Sequence, residues 1–264
     1  DKTYARIDKS STPGYFTDIA DKNIPAPNSF AMDSWKTIAN AVRNGNIGKY
    51  NVGDTKTIDM GDYGTHTLRI ANTSTPSECS TSGFSQTACG FVLEFADIIT
   101  EHEMNDTDTN KGGWPATSMR TFVNNDIYNA LPSDLKSAII NTKVVSGHGE
   151  SEKTNFTSTD KLYLLSTVEV WALLESSSTL DDDTAGDLTR QLDYYKQQIL
   201  STTNHLDIKK YGTSASNWWL RTIADSGDID HLEYNFCAIY TEGGKWCFMG
   251  ANSPNGVSPA FRIG

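Results

Sequence analysis

The chain of 264 residues has no run approaching the roughly 18 apolar residues that a membrane-crossing helix requires. Membrane insertion is therefore not expected. Positive charge is also scarce. Lys and Arg number 22 against 33 Asp and Glu, a formal net charge of −11, and the basic cluster Lys209-Lys210 is only two residues long. Phosphate neutralisation needs clustered cations, so no nucleic-acid partner is expected. The four cysteines fall as Cys79/Cys89 and Cys237/Cys247, without the short C-x-x-C spacing of a zinc site. There is no G-x-G-x-x-G after a strand, no phosphate-binding Walker loop, no H-E-x-x-H and no G-x-S-x-G. With five histidines scattered in unlike contexts, these gaps predict no enzyme, no cofactor and no metal.

What remains is the composition of a folded domain. The chain is 37% hydrophobic and 10% aromatic, and long enough to bury a substantial core. It opens at Asp1 with no signal pattern, as a mature or trimmed form would. Residues 1–32 carry turn formers such as "SSTPGYFTD" and read as a linker or the end of a preceding module. In "DSWKTIANAVRNG", Trp35, Ile38, Ala39 and Val42 recur at helical spacing. "TKTIDMGDYGTHTLRIAN" predicts two strands about a turn at 61–64, whereas "FVLEFADII" suits either a strand or a short helix. "SMRTFVNNDIYNAL" places Met119, Phe122, Val123, Ile127 and Leu131 on one helical face before Pro132. "KLYLLS" predicts a buried strand leading to Ser166 and Glu169, which have capping-box spacing for the helix "EVWALL". "TRQLDYYKQQIL" predicts a further helix, and residues 175–187 a polar loop. The fold class is α+β, with helices outside and short antiparallel strands gathered near the C-terminus.

Candidate sites are few. Asp106, Asp108 and Asn110 copy the first ligands of a calcium loop, but Lys111 and Thr117 occupy its sixth and twelfth positions, so an Asx-rich turn is expected. His148 reads as a loop histidine bonded locally, and sequons at Asn72, Asn105 and Asn155 decide nothing. Cys79 and Cys89 flank a small polar loop that a disulfide in an oxidising compartment would close. Two buried thiols are the alternative. Residues 240–247 read as a hairpin about Gly243-Gly244, in which Cys247 faces Tyr240 and Cys237 faces Gly250. That offset predicts no direct bond between Cys237 and Cys247 without a bulge. Trp218, Trp219 and Leu220 read as core, and Arg221 and Arg262 as ties between strands through carboxylates or carbonyls.

The stretches "SWKTIANAV", "VGDTKTIDMGDYGTHTLRIAN", "NKGGWPATSMRTFVNNDIYNALPSDLKSAI", "STDKLYLLSTVEVW", "WWLR" and "GVSPAFRIG" together resemble the DUF6273 family over about residue 33 to the end. That family is similar to the C-type-lectin-like fold in its formylglycine-generating-enzyme (sulfatase-modifying-factor) form. Residues 164–171 stand where that form has "LPTEAEWE", and Ala260-Phe261-Arg262-Ile263 matches its terminal "GFRL"-like strand. The resemblance implies a linker over 1–32 and a C-type-lectin-like ligand-binding domain over 33–264, with a variable-looking segment at 222–255.

Enzymes of that form use a close cysteine pair and copper, and the wider spacing of Cys237 and Cys247 argues against such an activity here. Other members of the lectin-like class are variable proteins of diversity-generating retroelements, which mutate adenines in the codons of a C-terminal segment. An Asn codon so treated yields Asp, His, Tyr, Ile, Leu, Phe and Cys among others. Asp228, Ile229, Asp230, His231, Leu232, Tyr234, Phe236, Cys237, Ile239, Tyr240 and Cys247 fit that set, and Glu233, Glu242, Lys245 and Trp246 do not. The resulting expectation is a binding face of Asp225, Asp228, Asp230, His231, Tyr234, Phe236, Ile239, Tyr240, Trp246 and Phe248, rich in the aromatics that make interface hot spots. The partner expected is a protein ligand or cell-surface receptor, with a calcium-independent glycan as alternative. The expected location is extracellular, on a bacterial surface or phage virion. The competing class is an enzyme or structural domain whose tail only packs.

Overall fold

The computed structural model describes residues 24–148, 152, 154–171, 188–197, 205–224 and 232–264. Residues 1–23 of the expected linker and the loop at 175–187 fall outside these. The remainder of the linker does not stay apart from the domain. Phe30 is buried, with Trp35, Tyr50 and Phe91 at ring-centroid distances of 6.0, 6.2 and 6.4 Å.

Ser34 caps α1 (Trp35–Arg43), its hydroxyl accepting the Thr37 N–H at 3.1 Å. Trp35, Ile38 and Ala39 face the core as their spacing predicts. Strands β1 (Thr55–Asp59) and β2 (Thr65–Asn72) form the expected hairpin. Its turn needs positive φ at Gly61 and Gly64, 62° and 86°. The ambiguous apolar stretch gives β3 (Val92–Phe95), followed by β4 (Thr100–His102).

Short helices α2 (Gly113–Ala116) and α3 (Ser118–Phe122) follow, and α3 runs through a π turn at Val123–Ile127 into α4 (Tyr128–Ala130). Met119, Val123, Ile127 and Leu131 are all buried. Their strict four-residue spacing would drift around a regular α-helix by about 40° per step. The wider π turn takes out that drift and keeps one apolar stripe on the core.

Then come α5 (Ser133–Ala138), β5 (Ile139–Ile140), β6 (Thr142–Ser146), β7 (Phe156–Asp160) and α6 (Thr167–Val170). The C-terminal part holds β8 (Lys209–Tyr211), β9 (Ser214–Ser216), β10 (Trp218–Ile223), β11 (Asn235–Ile239), β12 (Lys245–Gly250), β13 (Asn255–Val257) and β14 (Ala260–Ile263).

The fold is α+β. One five-stranded sheet has the order β1-β2-β3-β14-β5, a second β12-β11-β10-β13-β4, and β6–β7 and β8–β9 form two smaller ribbons. Named strand pairs are antiparallel except β10 with β13. One buried apolar core runs from Phe30 to Ile263 and includes Trp218, Trp219 and Leu220.

"KLYLLS" is buried but is not a strand. Tyr163 makes a single bridge to Ala260, and Leu165 accepts the Arg221 N–H at 2.8 Å. The segment is spent as a strap between the two sheets. The helix expected over 189–200 is absent from its described part, where only a 3-10 turn at Tyr195–Gln197 forms. Polar side chains in that stretch bond to the sheet instead. Arg190 donates to Asn72 Oδ1 and to the Ala88 carbonyl, and Asp193 accepts from the Thr73 and Ser74 N–H groups.

Two buried polar clusters fasten the sheets. Glu94 accepts from Arg69 at 2.8 Å, Lys209 at 2.7 Å and Tyr195 at 2.8 Å. Burial alone would raise its carboxyl, but Arg69 and Lys209 outweigh that and hold it at about 2. Burial lowers the Lys209 ammonium to about 8 against the pull of Glu94. In the second cluster Arg221 grips Glu169 through two bonds of 2.6 and 2.7 Å. The Ser166–Glu169 capping box forms as expected.

Candidate functional site

The hairpin of β11 and β12 carries the residues that remain as candidates. It does not have the expected register. Ile239 pairs with Lys245 and Ala238 with Trp246, so the tip lies at 240–244 rather than on Gly243-Gly244 alone. Continued one step, that register sets Cys237 opposite Cys247, and the two are disulfide-bonded. A bulge follows, and Phe236 then faces Met249. The expectation of unbonded cysteines is thus corrected: the predicted pairing was three residues off. Cys79 and Cys89 are also bonded.

Four contacts pin the hairpin. At the tip, the Thr241 N–H donates to Asn217 Oδ1 at 3.1 Å and the Gly244 N–H to Asp207 Oδ2 at 2.8 Å. At the base, the Asn110 N–H donates to the Glu233 carbonyl at 2.8 Å and Asn110 Nδ2 to the Asn235 carbonyl at 3.1 Å. Asn110, the third residue of the calcium-like loop, is therefore a clamp, while Asp106 and Asp108 stay exposed. No group of three or more metal-ligating side chains occurs among the described residues.

On the outer face three rings form a ladder. Tyr240 stacks on Trp246 at 5.4 Å and 30°, and Trp246 meets Phe248 edge-on at 5.0 Å and 66°. Trp246 is 40% exposed, and its two neighbours are half-buried. Burial raises the Tyr240 phenol above its ordinary range. Tyr234 is half-buried at the base of β11.

Phe236 and Ile239 do not belong to this face. Both are fully buried, because every residue of β11 is covered on both sides of the sheet. They are core residues, and the set of surface candidates shrinks accordingly. Asp225, Asp228, Asp230 and His231 lie outside the described residues. Of the two framework arginines, Arg221 ties strands through Glu169 and the Leu164 carbonyl, whereas Arg262 Nε has no hydrogen-bond partner among the described residues. His148 bonds locally to Asn155 at 3.1 Å.

Sequence reasoning passed over His205 and Asp207, which stand beside the hairpin tip. The Asp207 side chain is buried and its Oδ1 lies 3.5 Å from His205 Nδ1. Only the proximity of the two in "HLD" hinted at a pair.

The family model described as "Domain of unknown function (DUF6273)" matches residues 91–264. The chain belongs to that family. The match begins after β1 and β2, although both share a sheet with the matched β3 and β14. No curated protein and no solved structure is significantly similar to this chain. No described helix is long and apolar enough to cross a membrane.

Proposed function

We propose that this DUF6273 protein is a non-enzymatic binding module that presents the β11–β12 hairpin to a protein ligand or cell-surface receptor. The observation that carries the reading is the Tyr240–Trp246–Phe248 ladder, held half-exposed on a hairpin pinned at both ends and cross-linked by Cys237–Cys247. Stacked aromatics fixed before contact lose little entropy on binding and bury large area, which is the economy of an interface hot spot. The fold proposed is the C-type-lectin-like domain of formylglycine-generating-enzyme type, with residues 222–255 as its diversified segment. Asp225, Asp228, Asp230 and His231 join the ladder in that proposal on sequence grounds. Two disulfides favour an oxidising compartment, in keeping with an extracellular place on a bacterial surface or virion. The copper-enzyme alternative loses support, because both thiols of its cysteine pair are spent in a disulfide.

Two experiments test the reading. A binding screen against an extracellular-protein array, repeated with Trp246→Ala, should lose its hits in the variant. Retained hits would reject the ladder as the contact surface. For diversification, the gene's neighbourhood should hold a near-identical repeat of the segment differing mainly at adenines, and absence of that repeat would end the retroelement part.

A further inference from the structure

Three of the five buried polar side-chain atoms without a hydrogen-bond partner among the described residues belong to neighbouring side chains, one of which packs against the hairpin tip. They are Trp171 Nε1, His205 Nδ1 and Asp207 Oδ1. The Trp171 and His205 rings lie 6.3 Å apart at 52°, and His205 Nδ1 stands 3.5 Å from Asp207 Oδ1, too long and misaligned for a hydrogen bond. The tip itself forms one wall. Gly243 has φ 83°, and a Cβ there would sit 2.5 Å from His205 Cγ, so the bare backbone packs against the imidazole. Asp207 is fully buried, and among the described residues only its Oδ2 has a hydrogen-bond partner, the Gly244 N–H. The His205 side chain keeps 29% exposure, so the ring borders solvent.

Buried groups left unpaired cost free energy, so three together need an explanation. We infer that these side chains form a binding site for a hydroxyl-bearing ligand, a saccharide or a simpler polyol. Trp171 Nε1 only donates, a carboxylate oxygen such as Asp207 Oδ1 accepts, and His205 does either according to tautomer. A hydroxyl answers all of these at once, accepting from the indole while donating to the carboxylate. A carboxylate or phosphate would set acceptor against acceptor at Asp207 Oδ1, and an ammonium would leave the indole N–H unpaired. The two rings offer apolar walls for the C–H faces of such a ligand. This site is separate from the aromatic ladder and does not depend on what the ladder binds.

The test is an NMR titration of the full chain with glucose, galactose, N-acetylglucosamine and glycerol. It follows the Trp171 indole N–H and the Gly244 amide. At least one saccharide should shift both signals saturably. A response to glycerol equal to that of the sugars would make a simple polyol the source. Trp171→Phe removes an N–H that has no partner among the described residues, so its Tm should not fall. Its affinity, read at Gly244, should weaken about tenfold, the worth of one lost hydrogen bond. Asp207→Asn should weaken binding at least as much. No saturable shift with any of the four probes, or full affinity in Trp171→Phe, would overturn the proposal.

Discussion

The Glu169–Arg221 junction and the outer face of the β11–β12 hairpin lie in the same half of the chain but are built to opposite rules. At the junction every charge is enclosed and answered. Arg221 holds both Glu169 oxygens, the Leu164 carbonyl and Ser146 Oγ, while Glu169 also accepts from the Ser166 N–H, Thr87 and Thr189. On the hairpin the Tyr240, Trp246 and Phe248 rings are only partly covered, and near its tip buried atoms have no hydrogen-bond partner among the described residues. The proposed division between scaffold and display rests on that difference.

The sharpest way to break that contrast is Arg221→Leu. It leaves the Glu169 carboxylate buried without its counter-charge, and the expected loss is about 3–5 kcal/mol, read by urea unfolding. A loss under about 1 kcal/mol would mean that the junction is not the fastener described. Next in size comes acid. The Glu94 carboxyl titrates at about 2 in the folded chain against 4.5 for an ordinary glutamate. Its contribution, on the order of 3 kcal/mol, is complete above pH 4.5 and drains away as pH falls toward 2. Denaturation midpoints should therefore fall over that window, and less so in Glu94→Gln, whose baseline is already lower.

The double variant Cys237→Ser/Cys247→Ser should lose about 2–3 kcal/mol, since it removes a cross-link that closes a short loop. Its hairpin should still pair, because the tip and base contacts remain. The smallest effect concerns His66, whose pKa is raised mainly by its hydrogen bond to Asp97 at 3.1 Å, against the opposing effect of burial. A raised pKa means that its stabilisation is present in full below about pH 6.5 and is lost as pH rises through the folded value. Asp97→Asn should flatten that slope in a Tm series from acid to neutral, and an unchanged slope would assign it to another group.

Local signals were legible where the decisive partners were near in sequence. The β1–β2 hairpin followed from strand alternation about its glycines, and the capping box from Ser166 and Glu169. That Glu169 would be answered by Arg221, 52 residues away, had no local trace. The hairpin register failed because Gly243 and Gly244 looked like a two-residue turn. They form instead the trailing side of a longer tip, with φ 83° and 88°. Alternation could not assign Phe236 and Ile239 to core or surface, since β11 is covered on both faces. The helix expected at 189–200 had the right apolar spacing, but Arg190 and Asp193 take backbone partners in the loop between β2 and β3, at Ala88, Thr73 and Ser74.

The central claim is that the hairpin displays its rings rather than packing them. The direct measurement pairs stability with binding for Tyr240→Ala/Trp246→Ala/Phe248→Ala in one extracellular-protein array. Display predicts a modest stability loss, about 1–2 kcal/mol for three partly exposed rings, together with abolished binding of every ligand the parent chain captures. A variant that unfolds outright, or one that stays folded and keeps its ligands, would contradict it.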